Sequence, residues 1–222
     1  MMQPRGIIKL SLKTGQALLL GIKLQALFIL FTLLGGVVLG VFPALATCTK
    51  IILRRLTHKA DTTDSMFGDQ RNTFPALYHE FWQFYRQSFW EINGIGYIGA
   101  LAIAVLVADL IVNQNVIHSP IVQYGLIVLL IMVFTYWLYV FTIYARYALH
   151  FWQYFRQALV ISVAKFSNTL AIIMGSILAT VVLVVFPALT FVALVPLYLT
   201  PMIWFSYRSC LHVEAVMTYQ PS

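Results

Sequence analysis

The chain has 222 residues, 61% of them hydrophobic and 9% charged, with a mean hydropathy of +0.85 and a formal charge of +7. That is more apolar surface than a soluble domain of this length can bury, so a soluble globular protein is excluded and a polytopic membrane protein is expected. A net +7 would suggest nucleic acid in a soluble chain, but here the positions of the charges carry the information, and no nucleic-acid partner is expected.

In chain order, apolar blocks fall at 17–34, 37–53, 94–112, 121–143, 168–186 and 189–207. Apolar residues fill every face of them, as lipid-embedded helices require. A cleavable signal peptide is not expected, because the first apolar region runs too far and carries Lys23. Gly35, Gly36 and the Phe42-Pro43 step are expected to break the first two blocks into a hairpin. Pro43 suits the first turn of a short returning helix, where its missing N–H would be unpaired anyway. The alternative is one helix over 24–49, which lowers the count to five crossings but exports Arg5, Lys9, Lys13 and Lys23. The last two blocks lie in a stretch from Phe166 to Tyr207 without Asp, Glu, Lys, Arg or His. A bilayer core of ~30 Å needs ~20 helical residues, so this stretch is long enough to cross twice, with Pro187 as the break.

Basic residues collect before the first block (Arg5, Lys9, Lys13), between the second and third (Arg54, Arg55, Lys59, Arg71, Arg86), between the fourth and fifth (Arg146, Arg156, Lys165) and after the sixth (Arg208). The connectors at 113–120 and around Pro187 contain no Lys or Arg. Short basic loops stay in the cytoplasm, so six crossings of the cell membrane with both termini in the cytoplasm satisfy every loop. The expected fold class is an all-α transmembrane bundle forming a single domain over 1–222. Within it, 60–92 is a cytoplasmic linker and interfacial helix, and 145–166 a second cytoplasmic interfacial segment. Lys23 and Lys50 fall inside the first two blocks, at ~2.5–3.5 kcal/mol each if held at mid-membrane, and snorkelling relieves part of that.

The chain echoes itself. Phe81-Trp82-Gln83-Phe84-Tyr85-Arg86-Gln87 is matched by Phe151-Trp152-Gln153-Tyr154-Phe155-Arg156-Gln157, and Val41-Phe42-Pro43-Ala44-Leu45 recurs as Val185-Phe186-Pro187-Ala188-Leu189. Trp and Tyr favour the headgroup layer and Arg meets lipid phosphate there. Each aromatic copy therefore reads as an amphipathic helix on the inner surface, with Trp82 and Trp152 at headgroup depth. Phe81, Trp82, Arg86, Trp90, Glu91, Trp152 and Arg156 become the candidate contacts for the interface or a cytoplasmic partner, with Glu80 beside them. The small residues of Gly94-Ile95-Gly96-Tyr97-Ile98-Gly99 would let helices approach closely.

No catalytic, cofactor-binding or metal-ligating pattern stands out, and a non-enzymatic protein is expected. Cys48 and Cys210 read as buried thiols without pairing or metal spacing, and the five histidines as surface residues. Asp109, on an otherwise apolar crossing helix, is the candidate intramembrane polar site, with Lys23 and Lys50 as possible partners. It would face a cavity and hold a cation, proton or sugar hydroxyl, or else lie hydrated near the outer surface. Lys50 reads more simply as snorkelling toward inner-leaflet phosphate.

One order of features resembles a known bacterial family. A basic start leads into an apolar hairpin with Phe42-Pro43-Ala44-Leu45-Ala46-Thr47, and a basic helix end follows at 50–55. After a polar linker, an aromatic-basic segment from Phe81 to Asn93 runs into a crossing helix that carries Asp109 late. This looks like the YesL-like family, a bacterial membrane domain of unknown function. The resemblance implies an inner-membrane protein of mainly Gram-positive bacteria, with genes often beside ATP-driven sugar importers, two-component regulators and glycan-degrading enzymes. It implies no activity and no binding residues. The expected function is a non-enzymatic accessory of carbohydrate uptake, whose partners are the bilayer and subunits of a sugar ABC importer or a sensor kinase. The alternative is a solute-binding membrane component or small carrier in its own right.

Overall fold

Gly36 adopts φ +71°, a left-handed conformation that glycine reaches without steric cost, and Val37 follows it at φ 62°. In the computed structural model this turn separates α1 (Gly6–Leu34) from α2 (Val41–His58), so the first apolar run is a hairpin and not one helix over 24–49. Gly35 abuts the Gly40 backbone, and Pro43 lies in the first turn of α2, where no intrahelical bond is lost. The chain continues through α3 (Phe74–Val112), α4 (Pro120–Arg146), α5 (Phe151–Ala164), α6 (Phe166–Val185) and α7 (Ala188–Thr218). Described are residues 6–58, 73–164 and 166–218, with side chains for 15–57, 73–162, 167–191 and 193–211. The linker at 60–72, Arg5, Lys59, Arg71, Lys165 and the chain ends lie outside the described residues, as do the side chains of Lys9 and Lys13. Every regular element among the described residues is helical.

Four stretches among the described residues are long and apolar enough to cross a membrane: Gly15–Leu34, Phe74–Ile117, Pro120–Arg146 and Ser167–Val185. They make this a multi-pass membrane protein. The far halves of α3 and α4, over 101–112 and 120–134, contain no buried residue. Leu101, Ile121, Val128 and Met132 there stay more than half exposed. An apolar surface of that extent is at home only against lipid. The connector expected at 113–120 is nearly all helix: a π-helical turn (Asn113–Ile117) continues α3, and Asn113 closes the corner. Its Nδ2 donates to the Ser119 carbonyl at 3.1 Å, and its carbonyl accepts the His118 N–H at 2.7 Å.

Two segments expected to cross behave differently. α2 carries Lys50, Arg54 and Arg55 within 18 residues and sits at the centre of the bundle, against α1, α3, α4 and α7. Ala44, Ala46, Thr47, Cys48 and Thr49 are buried on it, and the Thr47 and Thr49 hydroxyls donate to the carbonyls one turn back, Pro43 and Leu45. Small side chains suit such a helix because lipid supplies no hydrophobic drive between helices, leaving close van der Waals packing to hold them. α7 bends where Ala193 leaves helical geometry (φ −143°, ψ 15°), with Pro196 and Pro201 following. The Val195 N–H donates to the buried Gln25 Oε1 of α1 at 3.0 Å, while Pro196 packs on Gly21 one turn away.

One expectation needs correction. The aromatic segment at 81–92 is not a helix of its own, because α3 runs unbroken for 39 residues, ~58 Å at 1.5 Å per residue. Nothing between Phe84 and Gly94 breaks a helix, and no proline follows Pro75 before Pro120, so the aromatic and apolar runs fuse. The second copy does form a separate helix, α5. Its start is closed by Gln153, whose Oε1 accepts the His150 N–H at 3.1 Å, half of a capping box.

Candidate functional site

The two aromatic repeats, far apart in sequence, meet around one side chain. Tyr144, near the end of α4, has its ring 6.3 Å from Phe84 and 5.0 Å from Tyr154, which are equivalent positions of the two copies. Its hydroxyl donates to Glu91 Oε2 at 3.1 Å, and Phe151 of the second copy rests on Gly94, where no side chain intervenes. The copies then differ in what they hold. In the first, Phe81, Trp82 and Tyr85 surround Phe31, and the Tyr85 hydroxyl donates to the Phe31 carbonyl at 3.1 Å. In the second, the Phe155 carbonyl accepts the Tyr136 hydroxyl at 2.8 Å, and Tyr154 bridges the loop by donating to the Tyr147 carbonyl and accepting the Leu149 N–H. Burial pushes the Tyr154 phenol up, so it stays a neutral donor. Tyr144→Phe should cost about 1 kcal/mol or less, because the rings remain and only one partly wet hydrogen bond goes. Thermal denaturation of the solubilised protein measures this; a larger loss would mean that the Glu91 bond, not ring packing, joins the copies.

Of the candidate contact residues, Phe81 is buried and Trp82 leans on Phe31, whereas Arg86, Trp90, Glu91, Trp152 and Arg156 are exposed. Trp90 (82%) and Trp152 (75%) are among the most exposed aromatics on the chain. These exposed rings and charges lie on helices whose other sides carry buried residues.

Beside it lies the charged end of α2. Arg54 forms an ion pair with Glu80 of α3, and the Lys50 Nζ stands 3.7 Å from the centre of the Phe84 ring. Two cavities share this end. One, of about 240 Å³, is lined by Thr47, Lys50, Glu80, Gln83 and Gln87; the other, of about 460 Å³, by Lys50, Arg54, Arg146, Tyr147 and Tyr207. The Arg146 guanidinium lies over the Tyr207 ring at 4.7 Å and the Tyr147 ring at 5.3 Å. Arg54, Glu80 and Arg146 were not singled out as a cluster in the sequence, since only the packing of α2 between α3, α4 and α7 brings them together. The one sequence signal was the basic loop arithmetic, which counted Arg54 and Arg146 separately.

The structure does not bring Asp109 and Lys50 together. Asp109 is exposed on the far half of α3, 25 residues beyond the Phe84 that holds Lys50, or ~37 Å along the helix axis. Lys23 is half-buried on α1. Gly35, Gly36 and Pro43 lie at the first hairpin, and Pro187 between α6 and α7. Cys48 and Cys210 are buried, and His79, His118 and His150 exposed. Gly96 and Gly99 do admit close approach: the Phe42 ring sits on the first and the Trp137 ring on the second.

Comparison with curated proteins and with solved structures gave no match. A family model did match, over α2, most of α3 and the end of α1. Residues 22–110 match the model of the family described as "Protein of unknown function, DUF624", which is the YesL-like family that the residue pattern resembles.

Proposed function

We propose that this is a non-enzymatic accessory protein of a bacterial carbohydrate uptake system, acting by contact with an ATP-driven sugar importer or its sensor kinase. The observation that carries the contact role is that Trp90, Trp152 and Arg156 stay exposed while Phe84 and Tyr154 of the same helices both pack on Tyr144. Exposed Trp and Arg on rigid elements are the residue types that anchor protein interfaces. The sugar connection is supported by the family resemblance. In the same reading α2 and α7 complete six crossings in the cell membrane, with both termini and the basic end of α2 cytoplasmic.

Two experiments test this. Tagged protein recovered from native membranes should bring importer or sensor-kinase subunits with it, and Trp90→Ala with Arg156→Glu should lose them at unchanged expression. Recovery of those subunits at equal yield with wild type and variant, or with neither, would count against the contact face. For topology, single cysteines at Gln3, Thr63, Asn115 and Ser222 are probed with an impermeant thiol reagent, with Cys48 and Cys210 replaced. Labelling from outside at Asn115 alone is expected, and labelling at Gln3 would overturn the arrangement.

A further inference from the structure

We infer that one bare side of α3, from Ile98 to Val112, docks a transmembrane helix of a second protein whose Lys or Arg pairs with Asp109. Ile98, Ala102, Val105, Asp109 and Val112 follow one another in alternating steps of four and three residues, so they stand in one line along the helix, and all five are exposed. Gly99, Ile103, Leu106 and Leu110 repeat that spacing one residue on, and each is buried or half-buried. Theirs is the line that α4 closes, with Trp137 on Gly99 at one end and Ser119 bonded to Asn113 at the other. Among the described residues, the seam through Asp109 has no such neighbour.

Lipid covers the apolar side chains of this seam but offers nothing to a carboxylate. Asp109 is the only Asp, Glu, Lys or Arg between Glu91 and Arg146, and among the described residues its carboxylate has no ion pair or hydrogen bond. It stands about five turns, ~27 Å, beyond Glu91 on the same side of α3, so the two acids bracket an uncharged length close to the ~30 Å of a bilayer core. Asp109 therefore sits just inside the boundary, short of the polar corner that begins at Asn113. A short carboxylate reaches water from there poorly, whereas a Lys or Arg near the end of a neighbouring crossing helix extends its charged head along the surface to meet it.

The sign of the charge selects the occupant. This chain has no Lys or Arg in 87–145 or 166–207, and Lys50 lies ~37 Å away along α3. A second copy packed through the same seam sets Asp109 against Asp109. A basic helix of another protein reverses that repulsion, and one polar position in an apolar seam also fixes the register of the pair. The seam lies apart from the aromatic contacts of the accessory role, and neither stands or falls with the other.

The test uses the full chain, labelled with a fluorescent donor, in phosphatidylcholine vesicles with an acceptor-labelled, leucine-rich transmembrane peptide. The peptides differ at one position close to an end, which holds Lys, Leu or Glu. Energy transfer should show the Lys peptide associating about tenfold more tightly than the other two, the scale of one polar contact between helices in lipid. Asp109→Leu should remove that preference, and Asp109→Lys should transfer it to the Glu peptide. Ala102→Trp, on the same line but away from the charge, should weaken binding of the Lys peptide, while Met132→Trp at an exposed position of α4 should not. No preference for Lys, or one that survives Asp109→Leu, overturns the proposal and leaves Asp109 a hydrated residue near the helix end. A Lys preference that Ala102→Trp does not weaken overturns the seam as the docking surface. Energy transfer between two labelled copies of the wild type, lost in Ala102→Trp, assigns the seam to a second copy and overturns the second protein.

Discussion

Gly99→Leu should lower the stability of the solubilised protein by about 3 kcal/mol or more, at the upper end of what overpacking a well-filled site costs. A Cβ at this position falls on the indole of Trp137, which is wedged between α3 and α4 and packs edge-on against Phe141 at 5.1 Å. Phe42 meets the same ring at 5.7 Å from α2 and blocks its movement on that side. Gly96→Leu should behave similarly against the Phe42 ring, which also touches Tyr97. Gly125→Leu is the control, since nothing stands within 4 Å of that position and its helix faces outward. The measurement is thermal unfolding followed by fluorescence-detected size exclusion. Equal melting for the Gly99 and Gly125 variants would show that α3 and α4 do not close on Trp137.

The second large effect is expected at Gln25. The bend at Ala193 takes the Val195 N–H out of its helix, and Gln25 Oε1 accepts it inside the bundle. Gln25→Leu has similar volume and leaves that donor buried without an acceptor, a loss of about 1–3 kcal/mol. Gln25→Glu keeps an acceptor but buries a charge at 4% exposure, and should be at least as damaging. Gln25→Asn, too short to reach, should resemble Leu. Hydrogen exchange at the Val195 amide reports the bond directly. If that amide is no less protected in Gln25→Leu than in wild type, the link between α1 and α7 does not hold the bend.

Both sites show how unevenly the fold could be read from the chain. Six apolar blocks were legible, and all six are helices, because a lipid-facing helix must be apolar on every side and that leaves a compositional mark. The hairpin at Gly35 and Gly36 was legible for a local reason: φ +71° at Gly36 is a conformation that glycine takes alone at no cost. The continuity of α3 was not anticipated. Trp, Tyr and Arg mark an interface by composition, yet composition is silent about whether the backbone bends there.

What the sequence by itself determined is therefore the class: a helical, multi-pass membrane protein, with its glycine and proline breaks and its aromatic repeats in place. Partner choice between helices was left to the tertiary structure. In lipid, apolar side chains gain little by facing one another instead of the bilayer, so periodicity does not mark the buried face as it does in water. Which helix becomes central is decided by fit. The small residues of α2 let four neighbours close around it, and that choice draws Arg54 to Glu80, Lys50 to Phe84, and both repeats to Tyr144. The same packing leaves Asp109 exposed on the far half of α3, a stretch with no buried residue and far along the helix from the Phe84 that holds Lys50.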